Sequence, residues 1–172
     1  MLLGTRGLPA AHGGFETFLE NLGPFLISKE WEVIVYCQRV GKSRTEVAKY
    51  KGMRLINIYS EIPGTLGTIM FDLKAMLHAL RIPGILVSFG YPTGIFAILP
   101  RILRRTHIIN MDGIEWKRDQ FGVLGKIWYY LNERIAACAA NRLIADHPYI
   151  KAHLATRVRA SKIEMIPYGA EK

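Results

Sequence analysis

Short β-branched or apolar runs alternate with helix-period segments along the whole chain, and nothing else in the sequence narrows the fold as far. Runs that read as strands lie at 1–4, 32–37, 53–59, 85–89, 106–110, 142–145 and 163–166. Apolar residues between them recur at helical spacing. The series are Phe15, Phe18, Leu19, Leu22 and Leu26, then Leu66, Ile69, Met70, Leu73, Met76, Leu77 and Leu80. Leu124, Ile127, Trp128, Leu131, Ile135 and Cys138 form a third, and Ile150, Leu154 and Val158 a fourth. The alternation predicts an α/β fold: a Rossmann-like parallel sheet of about six or seven strands with helices on both faces. Several strands are continuous apolar runs, as burial on both faces requires.

The punctuation refines this picture. Pro24 falls inside the first helical series and predicts a kink or restart there, because proline lacks the amide donor and crowds the preceding turn. Residues 38–51 are polar and basic and read as a loop. Pro148 opens a helix, with His147 in the capping position. Residues 82–100 carry no charge and approach the ~20 residues of a membrane span. They also contain Pro83, Gly84, Gly90, Pro92, Gly94 and Pro100, so a buried strand, a turn and a short helix are expected instead.

At 172 residues the chain is long enough for one domain with its own core. Its 50% apolar content excludes intrinsic disorder. Lys and Arg number 23 against 14 Asp and Glu, a net charge of +9. Such a surface favours nucleic acid, phosphorylated ligands or an acidic membrane face. Cys37 and Cys138 sit in apolar stretches and read as buried free thiols. The histidines are scattered without metal-ligand spacing, so no metal is expected. No secretory leader is legible at the start, which points to the cytoplasm.

Ligands of parallel α/β folds gather beyond the carboxyl ends of the strands. The loops to weigh are therefore 5–14, 38–44, 59–65, 90–93, 111–120 and 146–147. The first reads Gly4-Thr5-Arg6-Gly7-Leu8-Pro9, then Gly13-Gly14-Phe15-Glu16-Thr17. Glycines at a helix N-terminus let backbone amides reach a phosphate, and Arg6 would add charge; a glycine-rich turn is the plainer alternative. His12 abuts the glycine pair. The compact G-x-G-x-x-G spacing is missing, which weighs against a nucleotide-cofactor oxidoreductase. Loop 111–120 continues Asn110 into Met111-Asp112-Gly113-Ile114-Glu115-Trp116-Lys117-Arg118-Asp119: three carboxylates, two bases and an indole. Asp112, beside glycine at a strand end, stands where a catalytic or hydroxyl-binding carboxylate belongs; an Asp turn is the alternative. Dense basic runs occur only at 101–105 and 157–162, a weak basis for a nucleic-acid-binding module.

Four motifs in order carry a resemblance: Gly4–Ala10, His12–Thr17, Asn110–Arg118 and Ile166-Pro167-Tyr168-Gly169-Ala170-Glu171. Together they resemble the N-terminal domain of bacterial rhamnosyltransferase-like glycosyltransferases, of the retaining GT-B family four. The resemblance implies that 1–166 form the acceptor-binding domain. Residues 167–172 would begin the hinge to a C-terminal nucleotide-sugar domain that is not in this sequence; the E-x7-E carboxylate pair of that domain has no match here. The chain alone is then expected to be inactive. The implied function is sugar transfer, with rhamnose a candidate, from a nucleotide-sugar donor to a glycan or polyprenyl-linked acceptor in surface polysaccharide synthesis. No further cofactor is implied. Asp112 would be the catalytic or positioning carboxylate near the transferred sugar. Substrate-binding positions would be Arg6, Gly13, Gly14, Phe15, Glu16, Tyr91, Asn110 and Glu115. The +9 charge would also suit peripheral contact with an anionic inner membrane face. His12, His147 and Pro24 depart from the usual family residues, as does the short first strand.

Overall fold

The computed structural model describes residues 1–10 and 13–167. The fold is α/β and Rossmann-like, with mostly parallel strands. The chain divides into two compact units, Met1–Pro83 and Gly84–Lys172.

The first unit comprises β1 (Leu2–Leu3), α1 (Gly14–Ser28), β2 (Ile34–Val40), β3 (Glu46–Tyr50), β4 (Met53–Ser60) and α2 (Gly64–Ala79). Its strand order is β3-β4-β2-β1. β2 pairs in parallel with β4 from Ile34↔Arg54 to Val40↔Ser60. Side chains of a strand alternate between faces. Tyr36 lies opposite Ile56 and hydrogen-bonds His78 of α2 at 2.9 Å. Met53, three residues from Ile56, packs instead where Gly23 of α1 lacks a side chain. The two helices thus cover opposite faces of this unit.

A restart of α1 at Pro24 and a loop over 38–51 are both overturned here. α1 runs on through Pro24 to Ser28 without restarting. Its buried Leu19 and Gly23, packed inward, carry the helix across the one backbone hydrogen bond that Pro24 cannot donate. The expected loop 38–51 instead contains the end of β2 and all of β3, which pairs antiparallel with β4. Lys51 and Gly52 close that hairpin at φ 46° and 80°, the mirror-type two-residue turn that suits strand twist. β3 is exposed apart from half-buried Tyr50, so it has no apolar alternation for a pattern to find.

The second unit comprises β5 (Leu86–Phe89), a 3-10 turn (Gly94–Ala97), α3 (Ile98–Ile102), β6 (His107–Asn110), a 3-10 turn (Glu115–Lys117), α4 (Val123–Ala139), β7 (Arg142–Ala145), α5 (Pro148–Ala155) and β8 (Ile163–Met165). The four strands are parallel, in the order β5-β6-β7-β8. Ile109, Met111, Ala136, Ala137, Leu143 and Leu154 form the centre of its core. Residues 82–100 resolve into the expected strand, turn and short helix. Among the described residues, no helix is long and apolar enough to cross a membrane. His147 caps α5 as expected: its Nδ1 accepts the Tyr149 amide at 3.1 Å.

The stripe of α5 faces inward as expected, through Ile150 and Leu154, and α1 buries Leu19 of its series, but α2 and α4 turn most of their stripes outward. In α2 the buried face is Gly67, Phe71, Ala75, Met76 and Ala79; Met76 belongs to the apolar series, but Leu66, Met70 and Leu77 of that series are exposed. In α4 the buried residues are Asn132, Glu133, Ala136, Ala137 and Ala139, while Leu124, Ile127 and Leu131 face solvent. Small residues allow close approach: a β-carbon on Gly67 would strike the Ile62 carbonyl. The same inversion corrects the reading of the thiols. Cys37 is free and buried, but Cys138, a member of the α4 stripe, is free and exposed.

Candidate functional site

The second unit gathers charge at the carboxyl ends of β6 and β7. Asn110 pairs with Ile144, and the Met111 amide donates to the Ile144 carbonyl at 2.9 Å, prolonging the ladder by one residue. Asp112 and Asp146 therefore leave neighbouring strands at equivalent positions. Asp112 is half-buried, and its carboxyl is held above the usual carboxylate range by burial first and by Asp146 second, against the opposing pull of Arg118. One oxygen of Asp146, Oδ1, is buried and accepts no hydrogen bond among the described residues. Glu115 joins the group: it pairs with Arg118 at 2.9 Å, and burial raises its pKa, with Asp112 adding to the rise. Three carboxylates and one guanidinium thus act on one another at the strand ends. No group of three or more His, Cys, Asp or Glu among the described residues could hold a metal ion.

The scaffold beneath this loop is well satisfied. The Tyr91 hydroxyl donates to the Gly113 carbonyl at 2.8 Å and accepts the Glu115 amide at 2.7 Å, clamping both sides of the turn. Trp116 Nε1 donates to Glu133 Oε2 at 2.8 Å. The other oxygen of Glu133 meets His153 Nε2 at 2.9 Å and Arg157 Nε at 3.2 Å. Glu133 is only 1% exposed, so this carboxylate ties the loop to α4 and α5 from inside. Such an arrangement leaves Asp112 poised on a fixed turn. It can accept hydrogen bonds from the hydroxyls of a polyol or face a developing positive charge.

The first unit shows how the glycine-rich loop is held. Glu16 is buried, and its Oε1 accepts the Arg6 amide at 2.8 Å. One turn later, Glu20 Oε1 accepts the Ala10 amide at 3.0 Å and the Tyr50 hydroxyl at 2.7 Å. Arg39 donates to the Leu8 carbonyl at 2.8 Å. Gly7, at φ 110°, lies so close to Cys37 that a β-carbon would come within 2.5 Å of its Cβ. Gly13 and Gly14 remain exposed at the mouth of α1, Arg6 is exposed, and Phe15 is half-buried.

Several expected ligand contacts therefore take a different place. Glu16, Tyr91 and Asn110 are buried, and Glu16 and Tyr91 brace their own loops through the bonds above. Asp112, Glu115, Gly13, Gly14 and Arg6 keep accessible surface. His12 and the 168–171 part of the last motif lie outside the described residues. Sequence reasoning placed Asp146 in a strand-end loop without giving it a role, and it missed Glu133. The register of β6 with β7 singles out the first; nothing in the sequence separates the second from a solvated helix charge.

A hollow lies in the first unit, where β2 and β4 end. It is an open groove of about 600 Å³ lined by 41–44, 59–62, Met70 and Lys74. Lys42, Arg44 and Lys74 make it basic; Glu61 is paired to Lys42 at 3.2 Å. Both of its loops are among those the strand-end rule selects.

The family model described as a domain of unknown function, DUF1972, matches residues 1–171, and the chain belongs to that family. No curated protein matches the chain.

Proposed function

We propose that this DUF1972 member is the acceptor-side domain of a glycosyltransferase, taking part in sugar transfer from a nucleotide-sugar to a glycan or polyprenyl-linked acceptor, with a nucleotide-sugar domain as its partner. The observation that carries this reading is Asp112: a half-buried carboxylate with a raised pKa, fixed on a strand-end turn by Tyr91 and the Glu133 network. Transfer develops positive charge on the sugar and negative charge on the leaving diphosphate. A carboxylate beside the sugar ring holds its hydroxyls and faces the positive charge, and Asp112 takes that role, with Glu115 and Asp146 shaping its field. Within the first unit taken by itself, the amides at the mouth of α1, with Arg6, suit an anionic group. The basic groove of that unit suits an anionic group as well. No cofactor enters this scheme; the donor is a substrate.

The test is binding by the chain itself. Saturation-transfer NMR against a panel of oligosaccharides and nucleotide-sugars is expected to give contacts that Asp112→Asn weakens about tenfold or more, the scale of a charge-assisted hydrogen bond. In the presence of the proposed nucleotide-sugar domain the same substitution should abolish transfer. Unchanged binding and unchanged turnover in Asp112→Asn would remove the reading.

A further inference from the structure

The groove at the ends of β2 and β4 is held in shape by bonds within its own walls. The Gly41 amide donates to the Ser60 carbonyl at 3.2 Å and ties one wall to the other. Ser43 and Tyr59 donate their hydroxyls to the two oxygens of Glu46, at 3.0 and 2.9 Å, and the Ser60 hydroxyl donates to the Ile62 carbonyl at 3.4 Å. All three hydroxyls of the lining are thus engaged. The cations are left over. Lys42 is paired with Glu61 at 3.2 Å, whereas Arg44 and Lys74 have no acidic partner among the described residues. Three cations against one carboxylate leave the lining with a charge of +2. The same groove has an apolar part: Ile62 is 46% exposed and Met70 37% exposed. Met70 and Lys74 stand one turn apart on one face of α2, so the open thioether lies next to an open ammonium.

We propose that this groove is a binding site for a small phosphorylated organic molecule, with Arg44 and Lys74 on its phosphates and Ile62 and Met70 against its body. The volume of about 600 Å³ is that of a site for one small molecule. The planar fork of Arg44 matches phosphate oxygens in pairs, and Lys74 adds a point charge. A bare inorganic anion would meet both cations but leave Ile62 and Met70 in water, so the organic body is what fills the rest of the groove. The braced walls lower the cost of binding, because little has to be ordered when the ligand arrives. This inference goes beyond sugar transfer and rests on the groove alone.

The experiment is calorimetric titration of the whole chain with three probes: inorganic phosphate, inorganic pyrophosphate and uridine diphosphate. Uridine diphosphate, which joins a diphosphate to an organic body, is expected to bind about tenfold tighter than pyrophosphate. Arg44→Glu/Lys74→Glu should weaken uridine diphosphate at least about tenfold, the scale of losing charge-assisted hydrogen bonds. Met70→Ala should weaken uridine diphosphate about threefold and leave pyrophosphate unchanged. Arg101→Glu/Arg104→Glu removes the same charge outside the first unit and should change nothing. All the altered side chains are exposed, so the variants should keep the wild-type circular dichroism. No binding of uridine diphosphate overturns the proposal. So does binding untouched by Arg44→Glu/Lys74→Glu, or lowered equally by Arg101→Glu/Arg104→Glu. Equal affinity for pyrophosphate and uridine diphosphate overturns the part played by Ile62 and Met70. Asp112→Asn should leave these titrations unchanged, and Arg44→Glu/Lys74→Glu should leave oligosaccharide contacts unchanged, so this inference and the sugar-transfer reading fail separately.

Discussion

The glycine-rich loop of the first unit and the acidic loop of the second both follow a parallel strand, yet they spend their polar groups differently. In the first loop, Glu16 and Glu20 turn inward and consume backbone amides, and Gly7 is pressed against Cys37. In the second, the bracing is delegated to Tyr91, Trp116 and Glu133, which sit below the turn. Asp112 is thereby left with surface to spare. A carboxylate can stabilise its own fold or stay ready for a ligand, and these two loops divide the tasks.

The contrast can be broken at three points. Glu133→Ala should have the largest effect, because it leaves Trp116, His153 and Arg157 unpaired around a buried hole. A loss of roughly 3–5 kcal/mol is expected, read by urea unfolding. A loss below about 1 kcal/mol would show that the acidic loop stands without its buried tie. Glu16→Ala should cost less, about 1–3 kcal/mol, the scale of one unsatisfied buried donor at Arg6. If stability is unchanged, the glycine-rich loop is not held from within.

Asp112→Asn should have the smallest effect, and of opposite sign. The folded-state pKa is raised above 3.8, so near neutral pH the ionised carboxylate costs stability that the amide does not. The variant should therefore be at least as stable as wild type at neutral pH. The difference should close as pH falls through the folded-state value and vanish below about 3.8, where the carboxyl is protonated in both folded and unfolded chains. Destabilisation at neutral pH would move Asp112 into the same class as Glu16.

Which features were legible in the sequence follows from what periodicity measures. Strands buried on both faces announce themselves as apolar runs, and β2, β4, β5, β6 and β7 were found that way. β3 had no apolar face and was invisible. The helices were found by their stripes, but a stripe reports where apolar residues lie and not which face the sheet accepts. In α2 the buried face mixes Gly67, Ala75 and Ala79 with Phe71 and Met76, and in α4 the buried face combines alanines with Asn132 and Glu133. Asp112 was legible because it follows a strand beside glycine. Its neighbour Asp146 became visible only once the register of β6 with β7 was known. Glu133 looked like an ordinary helix charge, since its three partners lie 17 to 24 residues away.

β3 has one more effect. It forms the outer end of the first unit's strands, where unpaired amides and carbonyls could recruit a strand from another molecule. It is five residues long, and Glu46 and Lys49 project charge along it. A newcomer would have to bury those charges against its own side chains while gaining few backbone bonds. The residues that hid β3 from pattern reading thus also guard the molecule against runaway fibril growth.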